Sequence, residues 1–134
     1  MIIGSHQVIE DARRYRKIFG GGMRQVGILA AAAMYAIENN IERLSTDHKN
    51  AKMFAKELSK IKKLKVNPEN IQTNMVIIDI GETGKTQTQV LQMLKEAGVR
   101  LTPERDTSVR AVMHLDVNNK QVMDAAKIFE SIFA

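Results

Sequence analysis

A chain of 134 residues with 44% hydrophobic residues makes one ordinary globular domain, or a large piece of one. The absence of cysteine excludes a disulfide framework and a thiolate nucleophile. No apolar run is long enough to span a bilayer and no charged-then-apolar leader opens the chain, so a cytoplasmic location and no membrane partner are expected. The net charge of +5 invites a nucleic-acid reading. The excess sits in Arg13, Arg14, Arg16 and Lys17 and in a lysine series from Lys52 to Lys65. The second cluster has the spacing of a solvated helix face and lacks interleaved aromatics for base stacking, so nucleic acid is not the expected partner.

Ser5 can cap a first helix that runs to about Ile18, with Val8, Ile9, Ala12 and Tyr15 at helical spacing. Gly20, Gly21 and Gly22 stop it. A second helix is expected over residues 24–38. It is apolar almost all round, which calls for burial on more than one side. Beyond Asn40 the pattern becomes one-sided, with Ile41, Leu44, Ala51, Phe54, Leu58 and Ile61 marking an amphipathic helix. The two segments form either one bent rod or two helices. The period then shifts. Strands are expected over residues 64–66, 73–80, 99–102 and 109–115, and helices over residues 86–97 and from Asn118 to the end. Gly98 closes the first of these helices and Asn118 caps the second. The second part of the chain thus reads β-β-α-β-β-α, an antiparallel or mixed sheet covered on one face by helices, in an α+β, two-layer class. The apolar opening helices suggest the second half of something larger.

Several stretches invite a chemical reading. The glycines of KIFGGGMRQVG, followed at once by Met23 and Arg24, are either a hinge between helices or an anion site at a helix N-terminus. IIDIGETGKTQTQVLQML has the strand-loop-helix context of a phosphate loop. However, only two residues separate Gly81 from Gly84-Lys85, and Asp79 stands where the wrapping loop needs its first glycine, so a surface turn is expected. His6, His48 and His114 lack metal-ligand spacing, and no metal is expected. Arg110 is a cation in an apolar strand, on one face with Val112 and His114 and opposite Ala111 and Met113. Its partner is either an internal carboxylate, such as Asp79, or a bound carboxylate or phosphate.

The stretch GGGMRQ-G-LAAA-YA with a following ERL--DH-NA, the strand TNMVIIDI and the strand VRAVMHLDV resemble, in order and separation, the C-terminal part of the low-specificity L-threonine aldolases. These are pyridoxal 5'-phosphate (PLP) enzymes of the aspartate-aminotransferase fold, and the resemblance covers essentially the whole chain.

The resemblance implies the C-terminal small domain of a fold-type-I PLP enzyme. Residues 1–40 would be helices packed on a missing large PLP domain, and residues 41–134 the small α/β domain. It implies that Arg24 reaches the PLP phosphate of a neighbouring subunit in trans, that Lys17 lies at the site entrance, and that Arg110 binds the carboxylate of a small amino-acid substrate. His114 matches the family, whereas Met113 stands where the family has threonine. The implied partners are the missing N-terminal PLP domain and a homo-oligomer, dimer or tetramer. The family's Schiff-base lysine lies in a Ser-Lys-Gly context that this chain lacks, since Ser59-Lys60 is followed by Ile61. No catalytic residue is therefore assigned. The expected function is that of a fragment of a lyase splitting threonine to glycine and acetaldehyde, inactive and without bound PLP by itself. The alternative is a stand-alone, non-enzymatic homo-oligomerising remnant.

Overall fold

The computed structural model describes residues 2–134. They form two compact units, one running through Ile41 and the other from Glu42 to Ala134. Among the described residues, no helix is long and apolar enough to cross a membrane.

The first unit holds α1 (His6–Ile18) and α2 (Gly27–Asn39). Ser5 caps α1 as expected, its hydroxyl accepting from the Val8 N–H. Arg16 and Lys17 sit in the last turn, where the helix dipole favours cations. Helix α2 begins at Gly27, not Arg24. The residues before it form a turn in which Gln25 takes a left-handed conformation (φ 54°), and a helix cannot start through such a residue. Neither helix contains a buried residue. An apolar groove of about 640 Å³ lies between them, lined by Ile9, Ala12, Leu29, Ala33 and Ile37 among others.

The second unit opens on α3 (Leu44–Leu58), a helix separate from α2. It continues with β1 (Met75–Asp79), α4 (Gln87–Glu96), β2 (Thr102–Pro103), β3 (Ser108–Val112) and α5 (Asn119–Phe133). The sheet is antiparallel with strand order β1-β3-β2. The α+β class with helices on one sheet face is therefore observed. The sheet is smaller than the pattern suggests. The stretch 64–66 contributes a single bridge, Lys65 to Asp79, before Pro68 turns the chain through a short 3-10 turn. Of the stretch 99–102, only Thr102 pairs, together with Pro103. Proline is tolerated there because β2 is an edge strand.

Helix ends follow the residues that mark them. Thr86 and Asn118 each build a capping box, with Gln89 and Gln121 three residues on. At the end of α4 the Gly98 N–H reaches Lys95 O (3.0 Å) and the Val99 N–H reaches Leu94 O (2.8 Å). This closing motif requires the left-handed φ of 91° at Gly98.

One apolar core holds the unit. Val76, Ile78, Val109, Ala111 and Met113 point from the sheet to Ala51, Phe54 and Leu58 of α3, Val90 and Leu94 of α4, and Val122, Phe129 and Phe133 of α5. Phe54 and Phe129 meet edge to face at 5.6 Å. A polar stitch joins the start of α3 to this core. The Arg43 guanidinium donates twice to the Asp47 carboxylate (2.9 and 3.0 Å), and Asp47 is 3% exposed. Buried Asn50, one helical turn on, donates to Val117 O. The Asp-His-Asn-Ala part of the sequence signature is thus a packing device: Ala51 is fully buried, and His48 is only half-buried beside the ion pair.

Two expected outcomes follow from this packing. Phe129→Ala destabilises the second unit by about 3–5 kcal/mol, read as a lower urea midpoint. Arg43→Met leaves a buried carboxylate without its partner and costs about 2–3 kcal/mol, somewhat below the range for fully buried pairs because Arg43 is itself partly solvated. A urea midpoint unchanged by Arg43→Met would show that the pair contributes nothing.

Candidate functional site

The glycine loop comes first. Phe19 caps α1, and the chain then turns through Gly20 with φ 75°. The Gly20 N–H donates to Lys17 O (3.2 Å) and the Gly21 N–H to Arg16 O (2.8 Å). This is the same helix-closing pattern as at Gly98. The first two glycines therefore end a helix, and their N–H groups are not available to an anion. Arg24 lies in the following turn rather than in the first turn of α2.

The loop remains cationic. Lys17 runs along it: a Cβ at Gly22 would stand 3.3 Å from Lys17 Cδ and 3.5 Å from its ammonium. Lys17 and Arg24 are exposed, and among the described residues neither has a carboxylate partner. Exposed guanidinium and ammonium groups with no acid beside them suit a phosphate dianion. Two such groups supply part of an anion site, not a complete cradle.

Arg110 belongs to the second unit. Strand alternation places it as expected: Val109 and Ala111 are buried, while Arg110 and Val112 face outward. Register sets Ile77 opposite Arg110 on one side and Thr102 on the other. Met75, Ile77 and Val112 are each more than 40% exposed, so Arg110 shares its sheet face with uncovered apolar side chains.

Its partner is not Asp79. The register pairs Asp79 with Ser108, and the Asp79 carboxylate instead accepts the Gly81 N–H at 2.8 Å. Arg110 Nη1 meets Glu104 Oε2 at 3.2 Å, and Arg110 Nε donates to Thr102 Oγ1 at 3.3 Å. Neither Thr102 nor Glu104 is singled out by the sequence reading. The available signal was the short T-P-E-R-D-T-S connection, whose tight return to β3 brings an acid beside Arg110.

The remaining candidates are structural. The GETGKT stretch is a surface turn, in which Gly81–Thr83 form a 3-10 turn and Thr86 caps α4. Glu82 accepts from Lys65 at 2.9 Å, and this hydrogen bond and charge hold the exposed Lys65 ammonium above the usual lysine pKa. His114 is exposed. Its Nδ1 lies 3.3 Å from the Asp116 backbone nitrogen and 3.5 Å from the Asp116 carboxylate, in the turn from β3 into α5. Among the described residues, no three His, Asp or Glu side chains gather as a metal site would require.

The chain is 37% identical to the "Probable low-specificity L-threonine aldolase 2" of Arabidopsis thaliana over 99% of its own length. It is 35% identical to the "Low specificity L-threonine aldolase" of Escherichia coli O157:H7 over its whole length. In both cases it spans 38% of the relative's length. Among solved structures, MppP soaked with the product 2-ketoarginine superposes with a TM-score of 0.56 at 14% identity, over 73% of this chain and 30% of that one, which shows a shared fold. Residues 1–81, more than half of the chain, match the beta-eliminating lyase family, and the chain belongs to that family.

Proposed function

We propose that this chain forms the C-terminal part of a PLP-dependent lyase that splits a β-hydroxy-α-amino acid, such as threonine, into glycine and an aldehyde. The observation that carries this reading is similarity to threonine aldolases along the whole chain, combined with an outward-facing Arg110 that shares its sheet face with uncovered apolar side chains. Because the chain spans only 38% of those relatives, the activity belongs to an assembly that supplies the rest.

In this assembly Arg110 binds the substrate carboxylate and so orients the Cα–Cβ bond to be broken. A planar guanidinium suits this task, since it grips a carboxylate at two points and stays charged at all working pH values. Arg24 clamps the cofactor phosphate of a neighbouring subunit. Lys17, in the last turn of α1 beside the glycine loop, lies at the site entrance and attracts anionic groups. PLP, when bound, supplies the electron sink for the bond cleavage. This chain supplies neither the lysine that bonds the cofactor nor the acid for its ring nitrogen, so by itself it is inactive.

A second reading has its own observation. No residue of α1 or α2 is buried, although α2 is nearly all apolar. Exposed apolar surface of this kind marks an interaction site. A homo-oligomer that covers it would be stable without any chemistry. A monodisperse oligomer with no PLP-dependent activity in any assembly favours this second reading.

Two measurements test the first. In a holoenzyme containing this chain, Arg110→Ala raises the KM for threonine about tenfold or more, the loss of a charge-assisted hydrogen bond; an unchanged KM removes Arg110 from the substrate site. The chain alone, incubated with PLP and threonine, releases no glycine, and glycine formation would contradict the assignment of the chemistry to the rest of the assembly.

A further inference from the structure

Two arginine-carboxylate pairs in the second unit differ in kind. Arg43 grips Asp47 with two parallel hydrogen bonds, and Asp47 is nearly inaccessible. Arg110 meets Glu104 through one nitrogen only, at 3.2 Å, with the two side chains 37% and 31% exposed. The first geometry is that of a permanent tie. The second is a single, solvated contact of the kind that contributes little to stability.

The remaining edges of the Arg110 guanidinium explain what the contact does. Nε donates to the Thr102 hydroxyl, and that hydroxyl also donates to Arg110 O, so β2 holds the arginine's orientation. With Nε engaged, two-point capture of a carboxylate uses the Nη1–Nη2 edge. Glu104 sits on Nη1. Its backbone is fixed, the Glu104 N–H donating to Ser108 O at 3.1 Å, so only the side chain has to rotate away.

We propose that Glu104 is an internal competitor at Arg110. Its carboxylate stands 3.2 Å from Nη1, beside the edge that a small organic carboxylate needs for two-point binding, and binding at Arg110 proceeds by exchange of one carboxylate for the other. The incoming group gains the bidentate geometry that Glu104 lacks, on a sheet face that also leaves Ile77 and Val112 exposed. Glu104 thereby lowers the affinity of the site for carboxylates by a small factor. The inference builds on the role given to Arg110 above.

The test uses the 134-residue chain and sodium acetate as the probe. The Arg110 Nε–H signal is followed by NMR during titration at constant ionic strength, with chloride as the reference. Glu104→Gln keeps the size of the side chain and removes its charge, and the apparent Kd for acetate falls about two- to fivefold, the scale of a half-exposed ion pair. Asp106→Asn removes a charge from the same exposed connection and leaves the Kd as in the native chain. Equal acetate affinity in the native and Glu104→Gln chains overturns the proposal. So does an equal gain in Asp106→Asn, or an Arg110 signal that acetate does not move in either chain. These failures are separable from failure of the substrate role, which shows in the holoenzyme KM of Arg110→Ala and not in the acetate titration.

Discussion

The constraint on which the second unit depends is the alternation of β3. Its inward residues, Val109 and Ala111, close the core beneath the helices, and both are essentially inaccessible. The pleat then leaves no choice for Arg110, which must face out. A slip of one residue would drive the guanidinium into a core built from Phe54, Phe129 and Leu94, at the cost of an unpaired buried charge. Core packing and the position of the candidate binding arginine are thus one fact. The helices lie on one face only, so the other face keeps Met75, Ile77 and Val112 uncovered around a cation. A face of this composition fits a ligand with a carboxylate at one end and carbon at the other.

The two cationic elements of the chain are built differently. Arg110 is held by strand register and by Thr102, so its direction is set. Lys17 ends α1 and Arg24 lies in the turn after the glycines that close it, and among the described residues neither has a carboxylate partner. A clamp on a phosphate seated elsewhere tolerates such freedom. A group that aligns a bond for cleavage does not. The division of labour proposed for them agrees with this difference in rigidity.

Much of the fold was legible because its signals are local. Ser5, Thr86 and Asn118 at helix starts and Gly98 at a helix end act through backbone groups within a few residues. The inward and outward faces of β3 follow from period-two alternation alone. The start of α2 was not legible: Met23, Arg24 and Gln25 are good helix formers, yet Gln25 adopts a left-handed turn. Strand pairing at 64–66 and 99–101 failed for a different reason, since pairing depends on a partner distant in sequence: the first segment makes one bridge, Lys65 to Asp79, and the second makes none. The same holds for the site. That Arg110 needs a partner could be read from its surroundings. That the partner is Glu104 and not Asp79 depends on how tightly β2 returns to β3. The roles of Arg24 and Lys17 came from resemblance to the aldolases, not from any pattern in composition or spacing.

The most direct measurement is a crystal structure of the complete, cofactor-loaded enzyme containing this chain, with glycine bound. The account predicts the glycine carboxylate on the Nη1–Nη2 edge of Arg110, with Glu104 rotated away, and Arg24 against the cofactor phosphate of a neighbouring subunit. A glycine carboxylate held by another residue, with the Glu104–Arg110 pair intact, would contradict it.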